Sequence, residues 1–371
     1  MSSTRFPYRQ RWSWTEGHRY LRQESIADVA SASYALSTLA DRGLLTTRQL
    51  ADFQEATGLA DFAWRTYWHK EAREEAGSLR DLMRRAQGFV IFLHGWDGSH
   101  AIWDPLPALV CAANPRLVAL APDVNGFGGS PFLAEIPLLE QCDPPALMQA
   151  IVHWVNLLRL RSDQRARQRR KVITFVGHSM SGAALFYLDE KEWAPHEVSR
   201  CAIAPALLIN DILRKGFYKA LGLGIWAGSQ IGLLDRLKSR LAPSLIEQLI
   251  GKASEAVKAE HLRIFENTPK GTLAQTFFAL GSIRQELLPR RWQHFRVILG
   301  HDDPLVGVSQ MLYLLDDLGF ASHQIQVVLG DHYLFSVSNQ NRRQHLRNRE
   351  IVVGTILHLH ESCREQQSRP S

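Results

Sequence analysis

The chain has 371 residues, 45% hydrophobic and 22% charged, enough to bury one large core with an attached module or two ordinary domains, which excludes disorder as its main state. Its 43 Lys and Arg against 37 Asp and Glu leave a formal charge of +6, a mixed surface that permits nucleic-acid contact without arguing for it. Cys111, Cys142, Cys201 and Cys363 are widely spaced with no Cys-x-x-Cys pair, which suits reduced packing thiols, so neither a structural metal nor a disulfide framework is expected.

Met1 to Trp12 carries charge with no following apolar run, so no secretory signal is expected and a cytoplasmic protein is the expectation. Residues 1–60 read as a helical N-terminal extension. Ile26 to Leu39 is Ala-rich with a recurring apolar face, Asp41-Arg42-Gly43 interrupts, and Thr46 can cap a helix from Thr47 to Ala56. A DNA-reading helix-turn-helix is the alternative. Against it, Asp52 to Gly58 is long for the tight turn, and no Arg and Lys cluster follows on one helix face. Phe62 to His69, with Trp64, Tyr67 and Trp68, fits an early strand, and Lys70 to Arg85 has helical spacing.

From Gly88 strands alternate with helices. Phe89 to Leu93 and Arg116 to Ala121 are continuous apolar runs, as expected of a mostly parallel sheet covered by helices on both faces. Ala146 to Arg161 is an amphipathic helix. The basic stretch Arg165 to Lys171 reads as a solvated helix end and connection, and the strand leading to Ser179 follows. After a further strand, Val198 to Ala204, residues 207–271 break the alternation as a helical insertion. Its run from Phe217 to Leu234 holds Lys219, Gln230 and several glycines, which makes a poor membrane span. Phe295 to Leu299 and Gln324 to Leu329 resume the strands with a helix from Met311 to Leu318 between them, and Ile351 to Glu361 closes the chain as a helix. The expected division is therefore an extension (1–60), a core in two parts (61–206 and 272–371) and a cap (207–271).

Three strand ends carry chemistry. The first reads Gly177-His178-Ser179-Met180-Ser181, with Ser179 between small residues, as a sharp strand-to-helix bend requires. The others are Gly300-His301-Asp302-Asp303 and Gly330-Asp331-His332. Together with His94-Gly95-Trp96 and Asp123 to Ser130, each after an earlier strand, this Ser, Asp, His order resembles the α/β-hydrolase superfamily, in its serine-nucleophile branch with an inserted cap, over about three quarters of the chain. Ser181 departs from the more frequent glycine of the nucleophile elbow.

The resemblance implies an α/β-hydrolase fold with Ser179 as nucleophile, His332 as base and Asp303 as the acid that orients it. Asp302 is the close rival of Asp303, and Asp211 a remoter one. It assigns the oxyanion hole to the backbone N–H groups of Trp96 and Met180, has His94 brace the loop, and leaves His301 and Asp331 as supporting loop groups. A serine at the elbow favours acyl chemistry without cofactor or metal. Ester hydrolysis leads; carbon–carbon bond hydrolysis, thioester or lactone cleavage and acyl transfer are alternatives, and a regulatory or binding role through the N-terminal helices is the alternative of another class. The expected partner is a small-molecule substrate with an apolar acyl or alcohol portion, not nucleic acid, held in a cap pocket by Phe217, Leu221 and Trp226.

Overall fold

The computed structural model describes residues 26–74, 78–160, 171–188, 193, 197–207, 253–281, 292–337 and 342–367, with isolated positions between 216 and 250 and residue 288. The apolar runs become strands β3 (Gly88–Leu93), β4 (Leu117–Pro122) and β5 (Val172–His178), every residue of which is buried. With β1 (Val29–Ala35), β2 (Ala63–His69), β6 (Val198–Ile203), β7 (Phe295–Gly300) and β8 (Ile325–Val328) they form one eight-stranded sheet in the order β1-β2-β4-β3-β5-β6-β7-β8. β1 and β2 run antiparallel, β2 runs antiparallel to β4, and all other neighbours are parallel. This is the architecture that the resemblance implies.

The parallel register sets the site. Leu93 pairs with Gly177, His178 with Ile203, Ile203 with Ile298 and Gly300 with Val328, so the carboxyl ends of β3, β5, β6, β7 and β8 share one edge. In open parallel sheets that edge is where ligands bind. The helices Leu106–Ala113 and Arg342–Gln367 pack together against the strands, and Pro144–Leu157 with Ser179–Ala184 form another packed group. The four cysteines are buried thiols.

The N-terminal extension is not wholly helical. Residues 29–35, expected within a helix, form β1 and pair with β2 from Val29 opposite His69 to Ala35 opposite Ala63. Helix propensity, even alanine's, is a weak prior that tertiary context overrides, and the outer edge of β2 offers a row of backbone groups that need partners. Stacking of Tyr34 on Trp64, with ring centroids 5.8 Å apart, adds a cross-strand contact that sequence spacing does not reveal. The second half follows expectation. Thr46 and Gln49 form a reciprocal capping box before the helix Thr47–Thr57, which stops at Gly58 with φ 71°. Lys70 to Arg85 makes two short helices, and Lys171 closes the second by donating to the carbonyl of Arg84 at 2.7 Å.

Between β6 and β7 lie the helices Glu255–Asn267 and Lys270–Leu280, the second running through the boundary expected at residue 271. Among the described residues no helix is long and apolar enough to cross a membrane.

Candidate active site

Strand β5 ends at His178, and Ser179 opens the helix Ser179–Ala184 with φ 53°, a left-handed conformation uncommon for a residue with a Cβ. The bend closes because its neighbours are small. A Cβ at Gly177 would lie 2.5 Å from the Ser181 carbonyl oxygen, and one at Gly182 would lie 3.1 Å from Cα of Pro205. At Ser181, where glycine is more frequent, the buried hydroxyl donates to the carbonyl of His94, tying the elbow to the loop after β3. The departure from the usual pattern is therefore a structural bond.

His94 fixes that loop in turn. Its Nε2 accepts from the N–H of Val124 at 2.9 Å, which puts the ring proton on Nδ1, where it donates to the Gly95 carbonyl at 2.7 Å. Burial holds this ring below the ordinary histidine pKa, consistent with a neutral imidazole. In a trans peptide the carbonyl and the following N–H point in opposite directions, so anchoring the Gly95 carbonyl to His94 turns the N–H of Trp96 away from that ring. Gly95 packs so closely on Ser179 that an added Cβ would meet the serine Cβ at 2.9 Å. Met180 is buried beside Ser179, and its sulfur accepts from Asn125 Nδ2 at 3.3 Å.

The acid and the histidine meet as a pair. His332 Nδ1 lies 2.7 Å from Asp303 Oδ2, while Asp303 Oδ1 accepts the backbone N–H groups of Leu305 at 2.8 Å and Val306 at 3.0 Å. A proton on Nδ1 facing the carboxylate leaves a lone pair on Nε2. Asp302, the rival acid, is exposed and accepts instead from His301 Nδ1 at 2.8 Å. Asp211 lies outside the described residues. Asp331 accepts the N–H of Tyr333 at 2.9 Å, and its carboxyl is raised by burial, so it shapes the loop. His178 supports the same loop from below: its Nε2–H donates to the His332 carbonyl at 3.0 Å, and burial holds its ring well below the usual value.

Ser179 and His332 line one cavity of about 580 Å³, its open mouth included. Ile246, Ile250, Leu280, Leu305 and Val306 supply its apolar walls, with Trp96 at one side. The Trp96 ring packs on Phe277 with centroids 4.2 Å apart and donates its N–H to Thr276 Oγ1 at 3.0 Å, so the helix Lys270–Leu280 reaches the loop after β3. Phe217, Leu221 and Trp226, the expected walls, lie outside the described residues. His261 and Tyr333, which carry no motif signal, also line the cavity. His261 sits in a helix whose spacing marks only an apolar face, and Tyr333 is distinguished only by following His332. Among the described residues no group of three or more His, Cys, Asp or Glu could hold a metal ion.

Comparison with known proteins agrees with the fold. A family model described as alpha/beta hydrolase family matches residues 90–339. No curated protein matches the chain in sequence. Among solved structures, a thermophilic esterase from Thermogutta terrifontis is 15% identical, with a TM-score of 0.53 over 74% of this chain and 91% of its own. An enol-lactonase from Burkholderia xenovorans is 15% identical, with a TM-score of 0.52 over 81% and 97%. A bromoperoxidase from Bacillus anthracis is 16% identical, with a TM-score of 0.52 over 80% and 95%. At such identities the likeness is one of fold, and three different activities on one fold leave the chemistry to the site.

Proposed function

The chain belongs to the alpha/beta hydrolase family, and within it we propose a serine hydrolase that cleaves a carboxylic ester of a small molecule with an apolar acyl or alcohol portion. The observation that carries the reading is the Asp303–His332 pair, 2.7 Å apart, sharing a largely apolar cavity with Ser179 on its left-handed elbow. Nε2 of His332 takes the Ser179 proton as the hydroxyl oxygen attacks the ester carbonyl. Asp303, fixed by two backbone N–H groups, holds the ring and stabilises the imidazolium that forms.

The N–H groups of Trp96 and Met180 receive the oxyanion, the first aimed through the His94–Gly95 bond and the second standing at the start of the elbow helix. Collapse of the tetrahedral intermediate expels the alcohol, which takes the proton from His332. A water molecule deprotonated by the same nitrogen then releases the carboxylic acid and restores Ser179. The apolar walls supply binding energy for the non-reacting part of the substrate.

A fluorophosphonate probe on the native chain tests the assignment. Labelling at Ser179 that is lost in His332→Gln is expected; a native chain left unlabelled, or labelled elsewhere, overturns it.

A further inference from the structure

Besides Ser179 and His332, the cavity presents one polar pair that the reaction above does not use. His261, on the helix Glu255–Asn267, places Nε2 2.6 Å from the hydroxyl oxygen of Tyr333 and Nδ1 3.6 Å from Oδ2 of Asp97, with all three residues buried. Burial pushes the His261 pKa down to about 3, so the ring is neutral and carries a single N–H. The Asp97 backbone, hydrogen-bonded to the ring, and its carboxylate 3.6 Å from Nδ1 favour the proton on Nδ1, which leaves Nε2 as an acceptor and Tyr333 as the donor. With its proton committed to His261, the phenol oxygen offers lone pairs only. The indole N–H of Trp96 is already held by Thr276, and Ala206, Ile246, Ile250, Leu280, Leu305 and Val306 contribute apolar side chains.

We infer that the Tyr333 hydroxyl, oriented by His261, is the specificity-determining acceptor of the cavity and selects acyl groups bearing a hydroxyl near the scissile carbonyl. The Tyr333 and His332 rings lie 5.6 Å apart, centroid to centroid, in the cavity that Ser179 lines, so a group bonded to the phenol lies near the proposed reacting centre. A hydroxyl there gives the phenol oxygen a donor, whereas an unsubstituted chain buries that oxygen against carbon, and sites that hydrogen-bond a substrate discriminate strongly against analogues without the group. The neutral His261 makes the preference one-sided: a keto group in the same place would set two acceptors against each other. This inference rests on the ester-cleaving reading only for the identity of the carbonyl.

Calorimetric binding to Ser179→Ala protein tests it without turnover, using methyl octanoate, methyl 2-hydroxyoctanoate, methyl 3-hydroxyoctanoate and methyl 3-oxooctanoate. At least one hydroxy ester should bind roughly tenfold or more tightly than methyl octanoate, and the 3-oxo ester should gain nothing. Adding Tyr333→Phe should erase the hydroxyl preference. Adding His261→Leu, which frees the phenol proton, should extend the preference to the 3-oxo ester and serves as the second variant if Tyr333→Phe fails to fold. Equal affinity for hydroxylated and plain esters, a preference that survives Tyr333→Phe, or no binding of any of the four overturns the inference. A labelled Ser179 without hydroxyl preference defeats this inference alone, and a hydroxyl preference in a chain whose Ser179 resists the probe defeats the ester reading alone.

Discussion

Apart from the Asp303–His332 pair, the floor of the cavity and the helices Glu255–Asn267 and Lys270–Leu280 beside it are held mostly by different kinds of bond. On the floor, side chains bond to backbone: Ser181 to the His94 carbonyl, His94 to Val124 and Gly95, His178 to the His332 carbonyl, and Asp303 to Leu305 and Val306. The helices Glu255–Asn267 and Lys270–Leu280, with the cap residue Ser254, instead reach the floor mainly through side chain to side chain bonds, Trp96 with Thr276, Tyr333 with His261, Ser336 with Ser254 and Ser99 with Glu260, the Ser254 N–H also donating to Ser336. A backbone partner survives any substitution at its own position, whereas a side-chain partner is lost with it. The floor is thus tied mainly through the backbone and the neighbouring helices mainly through side chains, and damage to the two should read out differently.

The largest effect belongs to the reacting groups. Ser179→Ala should lower kcat/KM on a good ester by about 10⁴-fold or more, and Asp303→Asn, which leaves the ring without its orienting charge, by about 10²–10⁴-fold. Steady-state kinetics on purified variants measures both, and a Ser179→Ala enzyme of undiminished rate would remove the distinction between floor and cap.

Acid should weaken both regions together. Burial holds His94 and His178 on the floor, His261 in the cap and the remote His360 below the ordinary histidine value, so in the folded chain these rings stay neutral while the unfolded chain takes up protons. Their contribution is complete above about pH 6.5 and falls as pH drops, by about 1.4 kcal/mol per pH unit for each ring, until the folded ring titrates. That point is about 4 for His360 and about 3 for His261. Melting temperatures from roughly pH 7 down to 4 should decline steadily, and His360→Gln should flatten the decline by one ring's share. An unchanged slope would contradict the linkage.

Smaller effects separate the two kinds of bond. Ser181→Ala leaves the buried His94 carbonyl without its hydroxyl donor, at a cost of about 1–3 kcal/mol, and should lower both the melting temperature and kcat because it loosens the elbow against the loop after β3. Thr276→Val removes the acceptor for the Trp96 indole and should raise KM a few-fold more than it lowers kcat, since it acts on the wall. A fall confined to kcat would show that this bond serves the proposed reacting groups and not the apolar wall.

The floor was far more legible in the sequence than the cap, for a physical reason. A nucleophile lifted out of a strand end needs small neighbours and a histidine and an acid at later strand ends, so Ser179, Asp303 and His332 are announced by Gly177, Gly300 and Gly330 and by order along the chain. Choosing Asp303 over Asp302 needed coordinates, because both follow the same strand and only the turn decides which one faces His332. The pairing of His261 with Tyr333 spans 72 residues and leaves no local pattern. β1 was misread because Val29 to Ala35, rich in Ala and Ser, is nearly neutral between helix and strand, and the vacant edge of β2 decides. The departure at Ser181 is visible in the sequence but its role is not, for the same cause, since its partner His94 lies 87 residues away.

The positive φ of Ser179 also limits which residues could ever replace it. Side chains branched at Cβ are genuine outliers in that conformation, whereas aspartate and asparagine enter it several times more readily than other residues with a Cβ. Threonine, the nearest hydroxyl in chemistry, is shut out by shape, while the carboxylate of aspartate, a different nucleophile, fits the backbone as it stands. The turn therefore filters candidates by branching and is indifferent to reactivity, so the backbone at this position admits a change of nucleophile more readily than a change of alcohol.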